Sequence, residues 1–226
     1  MSVLVNNIAE VLHQASRLLY PVRCLHCGSF DVIGNRHFCS GCLDQLQWLK
    51  TGVVANPAPF DGIAAAFDYL GPQRTLVRAI KYNDMPYLAP VAAAYLAARL
   101  ANLSWPWPDV IVPVPQTFLR KMSRGYNQSA LIAQALSKMI GVATVNVLKR
   151  RSGGFSQASL SYDMRRELNE RFFSLKRGVN LEGKKVLVVD DVVTTGSTLA
   201  CCAKKLIDQK PAALYALTIC RTNRVL

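Results

Sequence analysis

One stretch in the second half of the chain constrains the fold more than any other. Four consecutive apolar residues, Val186–Val189, lead directly into Asp190 and Asp191, and a hydroxyl-rich turn follows before a helical pattern begins. An apolar strand that passes through a short turn into a helix is typical of parallel α/β sheets. In such sheets, ligands bind beyond the carboxyl ends of the strands. We therefore expect an α/β fold with a ligand site at this turn.

The turn itself has the composition of an anion site. Backbone N–H groups from Thr194 to Thr198, together with the amino end of the next helix, would donate to a bound phosphate, and the hydroxyl groups add donors. Two carboxylates beside a phosphate fit the hydroxyl groups of a sugar, or Mg²⁺ held through water. The Gly-x4-Gly-Lys-Ser/Thr pattern of nucleoside triphosphate sites is absent. A sugar phosphate is therefore the predicted ligand, and the simpler alternative is a strand–turn–helix unit with a capping threonine.

The rest of the chain after residue 60 alternates between strand and helix patterns, which predicts βαβ crossovers and a mainly parallel sheet flanked by helices. Further strands are predicted at Ile63–Leu70, Val110–Val114, Thr144–Leu148 and Leu214–Cys220. Helices are predicted at Gln73–Lys81, Leu88–Leu100, Asn127–Met139 and Ser197–Gln209, with a helical turn at Asp163–Arg171. An amphipathic helix is predicted over residues 3–19, where it would pack on the protein or contact a partner.

The positive charge of the chain is concentrated in one segment. The chain has 27 basic and 14 acidic residues, a formal charge of +13. Residues 111–185 alone hold 14 basic and 4 acidic groups, which is +10 of that total. A charge of this size in one place favours a phosphate-bearing partner, either a nucleotide or a nucleic-acid backbone. General solubility is the alternative, and it does not require such localisation.

Four cysteines near the start of the chain predict a zinc site. Cys24–Cys27 and Cys39–Cys42 are two Cys-x-x-Cys pairs separated by eleven residues. Each pair can present two thiolates to one tetrahedral ion, and a closed four-cysteine shell is structural because it leaves no position for a substrate. His26 and His37 are possible substitute ligands. A small N-terminal zinc-binding module at residues 1–52 would then precede a main domain at residues 60–226, with the breaker-rich connection Gly52–Pro59 between them.

Other interpretations of the cysteines are weaker. A disulfide framework is typical of secreted chains, whereas residues 1–20 lack the basic start and the continuous apolar core of a signal peptide. No apolar run approaches the roughly 20 residues that a membrane span needs. We therefore expect a cytoplasmic protein, at the inner face of the membrane only through partners. A thioredoxin-like redox pair would use one Cys-x-x-Cys and leave the other without a role.

The stretch from Val186 to Thr198 resembles the phosphoribosyl pyrophosphate (PRPP) signature of type I phosphoribosyltransferases. The resemblance implies that Asp190 and Asp191 are the catalytic pair that contacts the ribose hydroxyls, and that the turn binds the 5′-phosphate. It extends the PRPP site to Val192, Thr194, Thr195, Gly196, Ser197, Thr198, Lys81, Arg120, Arg124 and Arg150, with Mg²⁺ as the accompanying ion. A solvated basic face is the alternative for one or two of these arginines.

The order of motifs along the chain resembles the ComF/GntX family of competence-related proteins. In sequence order they are the cysteine pairs, Ala-Ile-Lys81-Tyr82, Val-Pro-Val-Pro115, Arg124-Gly-Tyr-Asn-Gln, the flap-like stretch Gln157–Asn169 and the PRPP signature. The resemblance implies a role in natural transformation, in handling imported single-stranded DNA, or in using DNA as a nutrient. It also makes a DNA-uptake protein or a helicase a possible partner. Candidate nucleic-acid contacts are Arg150, Arg151, Tyr126 and Phe155, the last two as stacking rings.

Three functions fit these motifs: a phosphoribosyltransferase of nucleotide metabolism, a PRPP- or nucleotide-sensing module without turnover, and a handler of single-stranded nucleic acid. Type I enzymes usually select the acceptor with a hood of terminal segments. Here the sequence ends six residues after Cys220, and the N-terminal segment carries the cysteines. The acceptor pocket is therefore not evident, and we expect a PRPP-binding, phosphoribosyltransferase-like protein of DNA uptake.

Overall fold

The structure is a computed structural model that describes residues 22–32, 37–49, 59–151 and 171–222. The chain divides into two compact units, residues 1–46 and 47–226. Outside the described residues lie the helix predicted over residues 3–19, the flap-like stretch Gln157–Asn169 and, except for Arg171, the helical turn Asp163–Arg171. So does nearly all of the predicted connection Gly52–Pro59.

The first unit is organised by two tight turns around its cysteines. The N–H group of Gly28 donates to the carbonyl of Cys24 at 3.0 Å, and Gly28 adopts a left-handed φ of 76° that favours glycine. The N–H of Leu25 donates to the carbonyl of His37 at 2.8 Å, which joins the two turns. A short helix, α1 (Ser40–Leu43), starts directly after the third cysteine of the cluster.

The second unit contains a four-stranded parallel sheet in the order β1-β6-β5-β2. Its strands are β1 (Gly62–Asp68), β2 (Val110–Pro113), β5 (Lys185–Val193) and β6 (Ala213–Arg221). A separate antiparallel pair consists of β3 (Leu148–Arg150) and β4 (Phe173–Leu175). The helices in the described residues of this unit are α2 (Gly71–Tyr82), α3 (Ala89–Ala101), α4 (Phe118–Arg124), α5 (Gln128–Ile140) and α6 (Ser197–Ile207), with a 3₁₀ turn at Pro86–Leu88.

Alternation along β5 explains why helices cover both faces of the sheet. Successive side chains of a strand point to opposite faces. Val186 and Val188 pack in the same buried cluster as Leu199 of α6. Helix α5, by contrast, contacts β5, β2 and the neighbouring helix α3. Because both faces are covered, the run Val186–Val189 is apolar throughout rather than alternating. The predicted α/β class with a mainly parallel sheet is confirmed.

Two predicted segments differ from the structure. The strand β5 continues past Val189 to Val193, since β6 keeps pairing with it as far as Val193 opposite Arg221. The two aspartates therefore lie within the strand rather than after it. In the predicted strand Thr144–Leu148, Thr144 makes an isolated bridge to Ile111, and regular pairing begins only at Leu148.

Helix α4 was not predicted. Its apolar residues Phe118, Leu119 and Met122 share one side of the helix, but the segment is only 7 residues long and none of its side chains is buried. Local capping defines it instead: Thr117 Oγ1 accepts from the N–H of Arg120 at 3.4 Å, and Gly125 ends the helix with a left-handed φ of 76°.

Within the described residues, no helix combines the length and the apolar character that a membrane-spanning segment requires.

Candidate functional site

A cleft of about 390 Å³ lies where β2 and β5 end. It brings together eight of the residues predicted to bind PRPP. They are Lys81, Arg120, Arg124, Arg150, Asp190, Asp191, Val192 and Thr198. Residues from five separate parts of the chain thus meet at the carboxyl edge of the sheet, as expected for an α/β fold.

The two aspartates occupy different environments because neighbouring residues of a strand point in opposite directions. Asp191 is 4% exposed, and one of its carboxylate oxygens lies 2.8 Å from the ammonium nitrogen of Lys81. Asp190 accepts a hydrogen bond from the hydroxyl of Ser129 at 2.8 Å, and its Oδ1 also accepts from the N–H of Asp191 at 2.9 Å. Each carboxylate therefore has a separate donor that orients it.

The pKa values of Asp190 and Lys81 depend on the charges of the neighbouring side chains in the cleft. Burial, together with the negative charge of Asp191, raises the pKa of Asp190 to about 7, although the hydrogen bond from Ser129 opposes the rise. Burial lowers the pKa of Lys81, but the carboxylates of Asp191 and Asp190 outweigh this and raise it overall. The cleft thus holds a carboxyl group that titrates near neutrality beside a stable ammonium ion.

One carboxylate oxygen in the cleft is unsatisfied. Asp191 Oδ2 is buried, and among the described residues it has no hydrogen-bond partner. A buried carboxylate oxygen without a donor is costly, so it fits a ligand that supplies a hydroxyl group or a cation. The donor set, with two carboxylates and the hydroxyl of Thr198, consists of the hard oxygen ligands that Mg²⁺ prefers.

The Arg124-Gly-Tyr-Asn-Gln motif joins three elements behind the cleft. The hydroxyl of Tyr126 donates to the carbonyl of Ile80 in α2 at 2.6 Å. The Asn127 amide donates to the carbonyl of Val114 at 3.0 Å, and its oxygen caps α5 by accepting from the N–H of Ser129 at 3.1 Å. These bonds place Ser129 against Asp190.

Sequence reasoning missed the role of Ser129. The local signal was present, because an asparagine before an apolar periodic segment marks the start of a helix. A serine two residues after such a cap is itself unremarkable. Its contact with Asp190 crosses 61 residues of sequence, so only the packing of α5 on the sheet reveals it.

The hydroxyl-rich turn lies directly between β5 and α6. Gly196 adopts a left-handed φ of 70°, a conformation that favours glycine, and α6 begins at the next residue. Thr195 Oγ1 donates to Ser197 Oγ at 3.2 Å. Thr194, Thr195 and Ser197 are exposed, and Thr198 is the residue of the turn that lines the cleft. The amino end of α6 therefore offers exposed donors next to the aspartates.

The basic side of the cleft comes from α4 and β3. Arg124 stacks over the ring of Tyr82 at 4.8 Å and donates to Gln128 Oε1 at 3.3 Å. Arg150 lies over the ring of Phe173 at 4.9 Å. Burial and the positive charge of Arg120 lower the pKa of Arg150, which indicates that cations crowd together here. An anion bound between them would relieve that repulsion.

The predicted nucleic-acid contacts are distributed differently. Arg150 lines the cleft, whereas Arg151 is exposed at the end of β3 and is not among the cleft-lining residues. Tyr126 is half-buried and held by its hydroxyl group, as described above. Phe155 lies outside the described residues.

The four predicted metal ligands come together in the first unit. The Sγ atoms of Cys24, Cys27, Cys39 and Cys42 all lie within 4.8 Å of one another. Tetrahedral Zn–S bonds of about 2.3 Å place neighbouring sulfurs roughly 3.8 Å apart, so the cluster could hold a metal ion such as zinc. Burial raises the pKa of Cys24, but the N–H groups of Cys27, Cys39 and His26 lower it to about 6 overall, which favours a thiolate. All seven cysteines are described, and none forms a disulfide.

Comparison with known proteins connects this site to a family. Residues 89–224 match the phosphoribosyl transferase domain. The chain is 31% identical to competence protein F of Haemophilus influenzae over 80% of this chain and 88% of that protein. It is 32% identical to the DNA utilization protein YhgH of Escherichia coli K12 over 91% of this chain and 99% of that protein.

A solved structure is also similar. The glutamine phosphoribosylpyrophosphate amidotransferase from B. subtilis has a TM-score of 0.43 at 19% identity, covering 63% of this chain and 30% of its own. That similarity is too distant to support an inference. The domain match spans more than half of the chain, and the curated relatives are covered over most of their length. The chain therefore belongs to the phosphoribosyltransferase domain family and, within it, to the competence protein F (ComF) family.

Proposed function

We propose that the protein binds PRPP, together with Mg²⁺, in the cleft at the ends of β2 and β5. The observation that carries the proposal is the meeting of two carboxylates and four cationic side chains at one sheet edge, with the amino end of α6 beside them. PRPP has the matching chemistry, since it joins ribose hydroxyls to a 5′-phosphate and a pyrophosphate.

Each part of PRPP has a complementary group in this arrangement. The turn from Thr194 to Thr198 receives the 5′-phosphate, and Asp190 and Asp191 receive the ribose hydroxyls. The pyrophosphate is held by the cationic set, which consists of Lys81, Arg120, Arg124 and Arg150. Mg²⁺ would be held beside Asp190 and Asp191, where it neutralises charge on the pyrophosphate. Lys81 balances Asp191 before a ligand binds.

If the protein transfers phosphoribosyl groups, the chain's contribution is positioning and charge stabilisation. The cationic set would stabilise the departing pyrophosphate, and the carboxylates would lie beside the ribose as positive charge develops on it. Release of pyrophosphate in the presence of candidate acceptors separates this enzyme from a PRPP sensor. A sensor would bind PRPP and release nothing.

The family supports a biological role in competence. Its relatives carry the names competence protein F and DNA utilization protein, and the present chain shares most of their length. We therefore infer that the protein handles imported single-stranded DNA during natural transformation. Use of DNA as a nutrient is the second candidate, and the similarity to YhgH over nearly its whole length favours it.

The four-cysteine cluster is proposed to hold one structural zinc ion. Three of its cysteines are buried, and a unit this small has little other core. The closed shell leaves no open position for a substrate, so the ion would stabilise the fold of the first unit rather than take part in catalysis.

Thermal unfolding with and without Mg-PRPP tests the main proposal. We expect Mg-PRPP to raise the melting temperature of the wild type, and Asp190→Asn combined with Asp191→Asn to abolish the shift. Asp208→Asn is the matched control, because Asp208 is exposed and lies outside the cleft. An equal shift in the double variant would place the ribose site elsewhere.

A salt titration tests the DNA part. Binding of single-stranded DNA should weaken steeply with salt because phosphate contacts release counterions. Arg150→Ala combined with Arg151→Ala should flatten the slope by about 1 to 1.5. An unchanged slope would exclude both arginines from the DNA contact.

A further inference from the structure

A second groove of about 730 Å³ adjoins the cleft, and of the residues proposed above to bind a ligand only Arg150 and Arg151 line it. It shares Pro115, Gln116, Asn127 and Arg150 with the cleft, so the two are continuous at these residues. Its other side is formed by β3, by Lys176 directly after β4, and by one face of α5. A groove of this volume is in the range of small-molecule sites.

Helix α4 separates the two. Arg120 and Arg124 are four residues apart and line the cleft, whereas Phe118 and Lys121 are three apart and line the groove. Residues at these spacings share a face of a helix. The short helix therefore directs two arginines to the cleft, and an aromatic and a basic side chain to the groove.

The groove is strongly cationic, and none of the described residues that line it is acidic. Besides the shared Arg150, its cations are Lys121, Lys149, Arg151 and Lys176. All four are exposed, and in the described part of the chain none of them pairs with a carboxylate. Several uncompensated cations around one concave surface favour a phosphate-bearing ligand.

The groove also has an apolar wall. Phe118, whose side chain is 65% exposed, lines it together with Leu131 and Leu148. An exposed ring in a cationic groove is a stacking surface for a heteroaromatic base. Amide groups of Gln134 and Asn146 add donors and acceptors that can bond a base edge.

We propose that this groove binds a nucleotide unit, with the base against Phe118 and the phosphate among Lys121, Lys149 and Lys176. The unit is held next to the PRPP cleft, on the opposite side of α4. The nucleotide is thus a neighbour of PRPP, and Arg150 lines both sites. The inference rests on the proposed function only in taking PRPP as the occupant of the cleft.

The site predicts a separation of effects between the two ligands. Lys149→Ala combined with Lys176→Ala should weaken binding of deoxyadenosine monophosphate by about tenfold while leaving the Mg-PRPP thermal shift intact. Arg120→Ala combined with Arg124→Ala should reduce the Mg-PRPP thermal shift and leave binding of deoxyadenosine monophosphate unchanged. Arg150→Ala should weaken both, because Arg150 lines both. Lys138→Ala with Lys184→Ala removes the same charge from exposed positions outside the groove and is the matched control.

Titration of the full chain by fluorescence and calorimetry, at one low salt concentration, measures these effects. Three probes are used: deoxyadenosine monophosphate, a short labelled single-stranded oligodeoxyadenylate, and inorganic tripolyphosphate. Phe118→Ala should weaken both nucleotide probes at least about fivefold and leave tripolyphosphate unchanged. Binding of the oligonucleotide without the mononucleotide would identify a strand as the source of the unit.

The outcomes distinguish this inference from the proposed function. If Mg-PRPP stabilises the wild type but neither nucleotide probe binds, or the probes bind equally to the Lys149→Ala/Lys176→Ala variant and its control, the groove proposal is wrong and the PRPP site stands. Equal binding of tripolyphosphate and nucleotides, with no effect of Phe118→Ala, would refute the base-stacking part. If nucleotides bind in the groove but PRPP does not bind at all, the proposed PRPP-binding function is wrong and the groove proposal stands.

Discussion

The ammonium group of Lys81 lies 2.8 Å from a carboxylate oxygen of Asp191, and both groups are largely buried. Lys81 is the next-to-last residue of α2, whereas Asp191 lies in strand β5 of the sheet. The pair neutralises one of two adjacent carboxylates at the site where a polyanion is proposed to bind. It therefore links the stability of the unliganded protein to the chemistry of the cleft.

Replacing Lys81 with methionine should destabilise the protein. Removing one partner leaves the Asp191 carboxylate buried without a counter-charge, and the free energy of unfolding at pH 7 should fall by about 3 kcal/mol. Chemical denaturation measures this. Lys185→Met is the control, because the Lys185–Asp109 pair is 3.5 Å long with side chains 36% and 41% exposed, and such pairs contribute at most about 1 kcal/mol. Equal losses of stability in the Lys81 and Lys185 variants would contradict the larger stabilising role given to the buried Lys81–Asp191 pair.

The stability of the unliganded protein should fall as pH rises from about 4 to about 7. Burial raises the pKa of Asp190 from 3.8 to about 7, so in this window the folded protein keeps a proton that the unfolded chain has lost. Stability decreases with pH wherever the folded state binds more protons. Urea midpoints across the window measure the slope, and Asp190→Asn should remove this component. An identical slope in the variant would mean that other groups cause it.

Ser129→Ala should shift the pH dependence of ligand binding. The Ser129 hydroxyl bonds Asp190 at 2.8 Å and favours its ionised form, so its loss raises the pKa of Asp190 further. If the ionised carboxylate binds Mg-PRPP, affinity increases with pH up to that pKa, by at most about tenfold per unit. Calorimetric titrations should show the plateau at a higher pH in the variant than in the wild type.

Ser137→Ala, on the last turn of the same helix, is the control for this experiment. Loss of the buried Ser129 bond should also cost about 1–2 kcal/mol of stability. A uniform drop in affinity at every pH, without a shift of the plateau, would indicate a purely structural role for Ser129.

Purified protein should contain one zinc ion per chain. Cys42→Ser should lose it, because the serine hydroxyl replaces a buried thiolate of the cluster. Cys220→Ala is the control, since Cys220 is buried in β6 outside the cluster. Elemental analysis measures the metal content. Metal-free protein prepared without oxidation, or full zinc content in Cys42→Ser, would refute the proposal.

Local patterns were sufficient for several parts of this protein. The strand–turn–helix from Val186 to Thr198 was predicted because a fully apolar run and a hydroxyl-rich turn act over a few residues. The two Cys-x-x-Cys pairs predicted the sulfur cluster for a similar reason, since each pair forms one tight turn. Patterns failed at α4, which is only 7 residues long and buries none of its side chains.

The sequence by itself determined the α/β class, the cysteine cluster and the two carboxylates beside the turn, because spacing and composition encode them locally. The cations of the cleft were assigned through the resemblance of their motifs to a known family. Tertiary structure decided which of these groups contact one another. The sheet order β1-β6-β5-β2 brings Lys81 to Asp191 and Ser129 to Asp190, and α4 divides the basic residues between two concave surfaces. These contacts join distant segments, and only packing of helices onto the completed sheet specifies them.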